Sequence, residues 1–311
     1  DVAVTVKSKD GYGATKSETE IRKQNHFIVK VNTSKNLTSE LIHSLSMVPK
    51  HLFIAEHQQH QRNALHKTLP KNTVLLDVDY SQNIKVQFRG EPQSHHYTTK
   101  QLTLFPIVAE YWAHEDDIEQ TREEFIMISD DLSHSDVQAD IFIEEVRSIM
   151  MKRGLPINDM REIYFSDRCP NQFSNSRMAS IISKRKNCEW NFFGVRHGKN
   201  QSDTAGGNFK TLLSRIILRT GSILYSIEDF AELQNTLPQP TRAFSKRTII
   251  TISIDDINTR KSQYSKGHKK LIGIKKIHQL KSAAGNGLLL VRPLSCYSCL
   301  SCIRNNGRWG L

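Results

Sequence analysis

Three aspartates stand where carboxylates could act on phosphate esters. Asp79 follows the apolar part of TVLLDVDY (73–80), Asp167 closes REIYFSD (161–167), and Asp203 precedes the helical pattern TAGGNFKTLLSRIIL (204–218). If the first two runs are adjacent parallel strands, their ends meet at one edge of a sheet. A helix starting over that edge brings in the third carboxylate. Three carboxylates together cannot all stay ionised without a cation, and hard oxygens on a rigid edge suit Mg²⁺ or Mn²⁺. Two such ions, about 3.5–4 Å apart, would activate a water or a 3′-hydroxyl and stabilise the leaving oxygen of a phosphodiester. Asp203 has a plainer alternative, which is to cap the helix beginning at Thr204.

Cationic and small residues surround these positions. Arg168 follows Asp167, and His197-Gly-Lys199 precedes Asp203. Lys210 lies further along the same helix. His197, Lys199, Arg168 and Lys210 are candidates for phosphate contacts, with the helix N-terminus supplying further donors. Gly206 and Gly207 would let a nucleic-acid strand approach closely. Asp130 and Asp131 are expected to favour a nearby helix dipole. Cys169 reads as a small buried residue, because no histidine base signature accompanies it.

The tail CYSCLSC (296–302) carries three thiols at C-x₂-C-x₂-C. A structural zinc site needs four ligands, so Cys296, Cys299 and Cys302 would hold Zn²⁺ only with a fourth, such as His278 or His268, or one beyond Leu311. With Cys169 and Cys188 isolated, five cysteines do not make a disulfide framework, and a reducing, intracellular compartment fits best. The Asn-x-Ser/Thr sequons are then chance matches.

Net charge is +11, and Thr241–Lys281 holds eleven Lys/Arg against two acids. Such a stretch usually meets a polyanion, and DNA is the expected partner through Lys269, Lys270, Lys275 and Lys276, with Arg247 and Lys261 beside them. No window reaches the roughly 18 apolar residues of a membrane span, so a soluble protein without a membrane partner is expected. Self-association into a homo-oligomer is compatible with the sequence. The start at Asp1 reads as the truncated end of a longer chain.

The elements that must position these residues follow from periodicity. Residues 37–68 read as a helix divided by Pro49; His43, His51, His57, His60 and His66 suggest metal at first glance, but on a Gln-rich polar helix a solvated face is expected for them. Strand patterns occupy 73–80, 84–90, 102–112 and 124–131, with Pro106 suited to an edge or bulge. A helix over 135–153, capped by Ser135 and ended by Gly154, precedes a strand at 161–167. A helix at 176–185, a strand at 190–195 and the helix after Asp203 follow, with a short helix at 226–233. The order predicts an α/β fold, a mixed sheet flanked by helices. Residues 1–70 form an N-terminal, partly helical remnant, 71–222 the core, and 223–311 a basic C-terminal region with a Cys-rich tail.

DYSQN (79–83), QSHHYTTKQLTLFP (93–106), ISDDLSH (128–134), FSDRCPNQF (165–173) and HGKNQSDTAGG (197–207) appear in an order that resembles a eukaryotic DDE-type transposase core. The resemblance covers roughly residues 40–280 and is to animal proteins of transposon origin. It implies a ribonuclease-H-like fold, a metal-binding catalytic triad at Asp79, Asp167 and Asp203, and DNA cleavage and strand transfer in the nucleus. Asp203 follows Asp167 by 36 positions, close to the spacing in many such enzymes. This chain departs from the pattern with Gln82 for a usual Glu, Arg168 for Gly and Ser135 for Asp. Arg168, Gln82 and termini that read as incomplete point toward a domesticated, non-catalytic nucleic-acid-binding protein of the same fold, whereas the three aspartates point to the enzyme. A third alternative is an exonuclease of that fold using D-x-D, Asp77 with Asp79, although Asp77 is expected to point away from the neighbours of Asp79.

Overall fold

The computed structural model describes residues 2–11, 23–32, 34–85, 100–114, 116–195, 200–221, 224, 226–233, 237–241, 245–264 and 267–299. The chain divides into two units, Asp1–Phe53 and Ile54–Leu311. In the first, β1 (Val2–Gly11) and β2 (Lys23–Asn32) pair antiparallel in a hairpin that the polar sequence did not announce. Helix α1 (Ser34–Ser46) follows, and α2 (Val48–Lys67) starts one residue before Pro49. A proline in the first helical turn removes an N–H that has no intrahelical acceptor, so it divides the segment without disrupting either helix.

The second unit is built on a mixed sheet in the order β11-β10-β8-β7-β3-β5-β6-β9. Its central strands are β3 (Thr73–Val78), β5 (Gln101–Tyr111), β6 (Thr121–Ser129), β7 (Arg161–Ser166) and β8 (Cys188–Phe192). Strand β3 runs antiparallel to β5 and parallel to β7, β5 antiparallel to β6, and β7 parallel to β8. Every residue of β3 is buried, as expected of a strand covered on both faces. Strand β4 (Ser81–Lys85) pairs with the start of β5, and Pro106 lies where β5 changes partner from β4 to β3. That place tolerates a missing ladder donor.

Helices α3 (Asp136–Lys152) and α4 (Ser176–Lys184) cover one face. Ser135 accepts the Gln138 N–H at the start of α3, Val137, Ile141, Val146 and Met150 point into the core, and Gly154, at φ +92°, follows its C-terminus. On the other face, α5 (Gln201–Thr220) and α6 (Ile227–Leu233) pack over β5 and β6, burying Phe209, Leu213 and Phe230. The C-terminal half of α2 lies on this face over β3 and β7 through Leu65. A Cβ at Gly206 would come within 3.0 Å of Ser81 Oγ, so α5 lies close against β4.

The residues after 223 extend the same sheet. Strand β9 (Ser245–Ile252) runs parallel to β6, and α7 (Ile254–Lys261) follows it. At the opposite edge β10 (Gln279–Ser282) and β11 (Leu289–Arg292) add antiparallel strands beside β8. Two residues of the basic stretch serve the fold: Arg247 pairs with Glu124 at 2.7 Å and Lys261 with Asp131 at 2.6 Å. Among the described residues no helix is long and apolar enough to cross a membrane.

Candidate active site

Parallel pairing of β3 with β7 places Val78 opposite Ser166. Asp79 and Asp167, each the next residue along, therefore leave the sheet side by side at the C-terminal ends of adjacent strands. The N-terminus of α5 is fastened to the same edge, where Ser202 Oγ donates to the Asp77 carbonyl at 2.6 Å. Asp203 follows immediately, in the first turn of α5.

The three carboxyls share one electrostatic environment. Burial first, then the charges of Asp167 and Asp203, push Asp79 up to about 9, and the Tyr80 backbone N–H opposes this in part. Asp167 is also raised, by burial and by Asp203, against a 3.0 Å hydrogen bond from the Cys169 N–H to its Oδ1. The exposed Asp203 closes a capping box: its Oδ2 accepts the Asn200 N–H at 3.1 Å, and Asn200 Oδ1 accepts the Asp203 N–H at 3.0 Å. The capping role is thus realised on the same edge as the other two acids. Among the described residues no three His, Cys, Asp or Glu side chains are gathered as a ready metal cage.

One observation separates this edge from the rest of the molecule. Ten acidic residues are buried among the described residues, and nine have a cationic partner. Asp77 pairs with Arg62, Glu123 with Arg153, Asp140 with Arg185 and Glu162 with Arg147. Asp79, only 8% exposed, is the exception. Its donor chemistry, hard oxygen beside two further carboxyls with no Lys or Arg paired to it among the described residues, fits a divalent cation.

Several residues singled out in the sequence have other work. Arg168 turns away into the C-terminal segment, where it donates to the Ile274 and Ile277 carbonyls at 2.8 and 2.5 Å and meets His278 Nε2 at 2.7 Å. His278 Nδ1 is 2.7 Å from the Pro293 carbonyl, so both ring nitrogens are engaged away from zinc. Asp77 is fully buried against Arg62, apart from Asp79. Asp130 accepts the Ile254 N–H at the start of α7, and Asp131 takes Ser133 and Lys261. The sulfurs of Cys296 and Cys299 are 3.2 Å apart. Cys302, His197 and Lys199 lie outside the described residues.

Lys210, half-buried, lines a cleft of about 230 Å³ between β4 and α5. Sequence reasoning named Lys210 but missed its companions Asn83, Lys85 and Phe230, because nothing in the sequence brings α6 beside β4. Gly206 is used for packing, whereas Gly207 faces open space. Lys269, Lys270, Lys275 and Lys276 are exposed.

The histidines of this segment are exposed or half-buried, but the polar helix also has a buried side that the sequence reading did not foresee. Gln58, Gln61 and Arg62 are buried. Gln58 Nε2 donates to the Phe192 carbonyl at 2.8 Å, and its Oε1 accepts the Ser295 N–H at 3.0 Å. Gln61 Oε1 accepts the backbone N–H groups of Tyr297 and Ser298. A hydrogen-bonding stripe beside Ala55 and Leu65 clasps residues 295–298 to the sheet.

No curated protein and no solved structure matches the chain. One family profile does, over residues 58–295, a span that begins and ends on the Gln58–Ser295 clasp. With most of its length inside that match, the chain belongs to the family described as a domain of unknown function, DUF8701.

Proposed function

We propose that the protein is a DDE-transposase-like, metal-dependent DNA-processing enzyme with a ribonuclease-H-like core, working in the nucleus by phosphodiester hydrolysis and strand transfer. The observation that carries the reading is Asp79: a buried carboxyl without a cationic partner among the described residues, beside Asp167, at the ends of two adjacent parallel strands. The element order supports the fold assignment, with three antiparallel strands followed by helix, strand, helix, strand and helix around a central β3.

Asp79 and Asp167 would hold Mg²⁺ or Mn²⁺ between them, and Asp203 would complete the set on leaving Asn200. Ions bound there would supply an activated water or 3′-hydroxyl and charge stabilisation for the leaving oxygen. The strand ends fix the first two carboxyls before substrate arrives. The exposed lysines at 269, 270, 275 and 276 would neutralise backbone phosphates, giving affinity without sequence preference.

A second reading, a DNA-binding protein of the same fold without catalysis, is favoured by the capping role of Asp203. The exonuclease reading is disfavoured, since the Asp77 carboxylate is held by Arg62. Calorimetric titration with Mn²⁺ tests the proposal. Binding in wild type that is lost in Asp79→Asn supports it, and identical isotherms for the two proteins contradict it.

A further inference from the structure

The cleft between β4 and α5 has features that the cutting chemistry does not use. Its floor is apolar, with Ile84, Leu213 and Phe230 buried and Ile217 beside them, and its rim carries Lys85 and Lys210. Lys210 is half-buried yet forms no ion pair among the described residues. Asn83 donates to Gln101 at 3.0 Å, while its buried Oδ1 has no hydrogen-bond partner. A volume of about 230 Å³ is below the roughly 300–1,000 Å³ of drug-sized ligand sites, and leaves room for a single ring system. An anion beside two lysines and a flat ring on an apolar floor are the two halves of a nucleotide.

We propose that this cleft receives one unpaired nucleotide of the strand being processed, with its base against the partly exposed Ile217 and its phosphate on Lys210. The favoured substrate is then DNA opened near the cut, because a paired base must leave its stack to enter. The inference rests on the DNA-processing reading for the identity of the polymer, but not on catalysis. Asp203 and Lys210 are separated along α5 by about 10 Å, at 1.5 Å per residue. That corresponds to about three steps of a strand at 3.4 Å each.

Fluorescence anisotropy without divalent metal tests it, using a fully paired duplex and the same duplex with a one-base bulge. Stacking on an aromatic ring gives roughly a five- to hundredfold gain in affinity; the accessible floor here is aliphatic, so wild type should prefer the bulged DNA by about the lower figure, fivefold. Ser214 is exposed at the lip of the cleft. Ser214→Phe, which fills the cleft without touching the core, should erase the preference and leave paired-duplex affinity unchanged. Lys210→Met should reduce the magnitude of the salt slope for the bulged DNA by about 0.9. Equal affinity of wild type for both duplexes, or a preference retained in Ser214→Phe, overturns the proposal while DNA processing stands. A bulge preference in a protein that never cuts DNA supports the cleft and overturns the catalytic reading. Failure of wild type to bind either duplex overturns both.

Discussion

A carboxylate taken out of water must find a cation, a proton or a set of donors. Burial, then the charges of Asp167 and Asp203, push the Asp79 carboxyl up to about 9 in metal-free protein, against the Tyr80 backbone N–H. Its folded value lies above the ordinary 3.8, so this stabilisation is complete below about pH 4 and is lost as pH rises toward 9. Asp79→Asn should flatten that limb and make the metal-free protein more stable at pH 9, by about 2 kcal/mol for one unsatisfied buried group. Mn²⁺ should raise the Tm of wild type but not of Asp79→Asn, and thermal melts across pH check both. His278 behaves with the opposite sign. Burial, then the charge of Arg168, lowers it to about 4, so stability should fall as pH drops from about 6.5 toward 4. His278→Gln should remove that acid limb from the same melts. The positions of Asp79 and Asp167 could be read from acids at the ends of apolar runs. That Asp79 alone among the buried acids of the described residues lacks a cation could not, because partners such as Arg62, Arg153 and Arg185 come from other elements of the fold.

At the scale of elements, periodicity found α3, β7, α4 and α5 because each carries an apolar stripe or run facing a core. It found α2 as a helix beginning at Pro49 but not its buried side, which is largely polar. Counting apolar residues cannot detect that Gln58 and Gln61 will meet backbone donors of residues 295–298 across 237 positions of sequence. The same blindness hid the role of Arg168, which reaches the segment before β10. Gln61→Leu keeps the helix and its volume but leaves the Tyr297 and Ser298 N–H groups without their acceptor. It should destabilise the protein by about 1–3 kcal/mol, measured by urea unfolding, without altering metal binding. Arg168→Ala should loosen the 274–278 segment, seen as faster amide exchange there, and leave Mn²⁺ affinity within about twofold.

For the whole molecule, the sheet gathers strands from residues 73 to 292, so the basic region is continuous with the fold that carries the acidic edge. Its charges fall into two classes that sequence alone cannot separate. Arg247 and Lys261 are bonded to Glu124 and Asp131, so removing either should lower stability and leave the salt dependence of DNA binding unchanged. Lys269, Lys270, Lys275 and Lys276 are exposed. Neutralising any one of these that binds a phosphate should reduce the magnitude of the duplex salt slope by about 0.9, for all sequences alike.

The central claim, that this acidic edge performs metal-assisted phosphodiester chemistry, is tested most directly by comparing wild type and Asp167→Asn on one DNA substrate, with cleavage and binding read together in Mn²⁺. Wild type is predicted to cut, and Asp167→Asn to bind equally or more tightly without cutting, because a negative charge near the phosphate has been removed. Wild type that binds the DNA but never cuts it, with Mg²⁺ or Mn²⁺, would contradict the account.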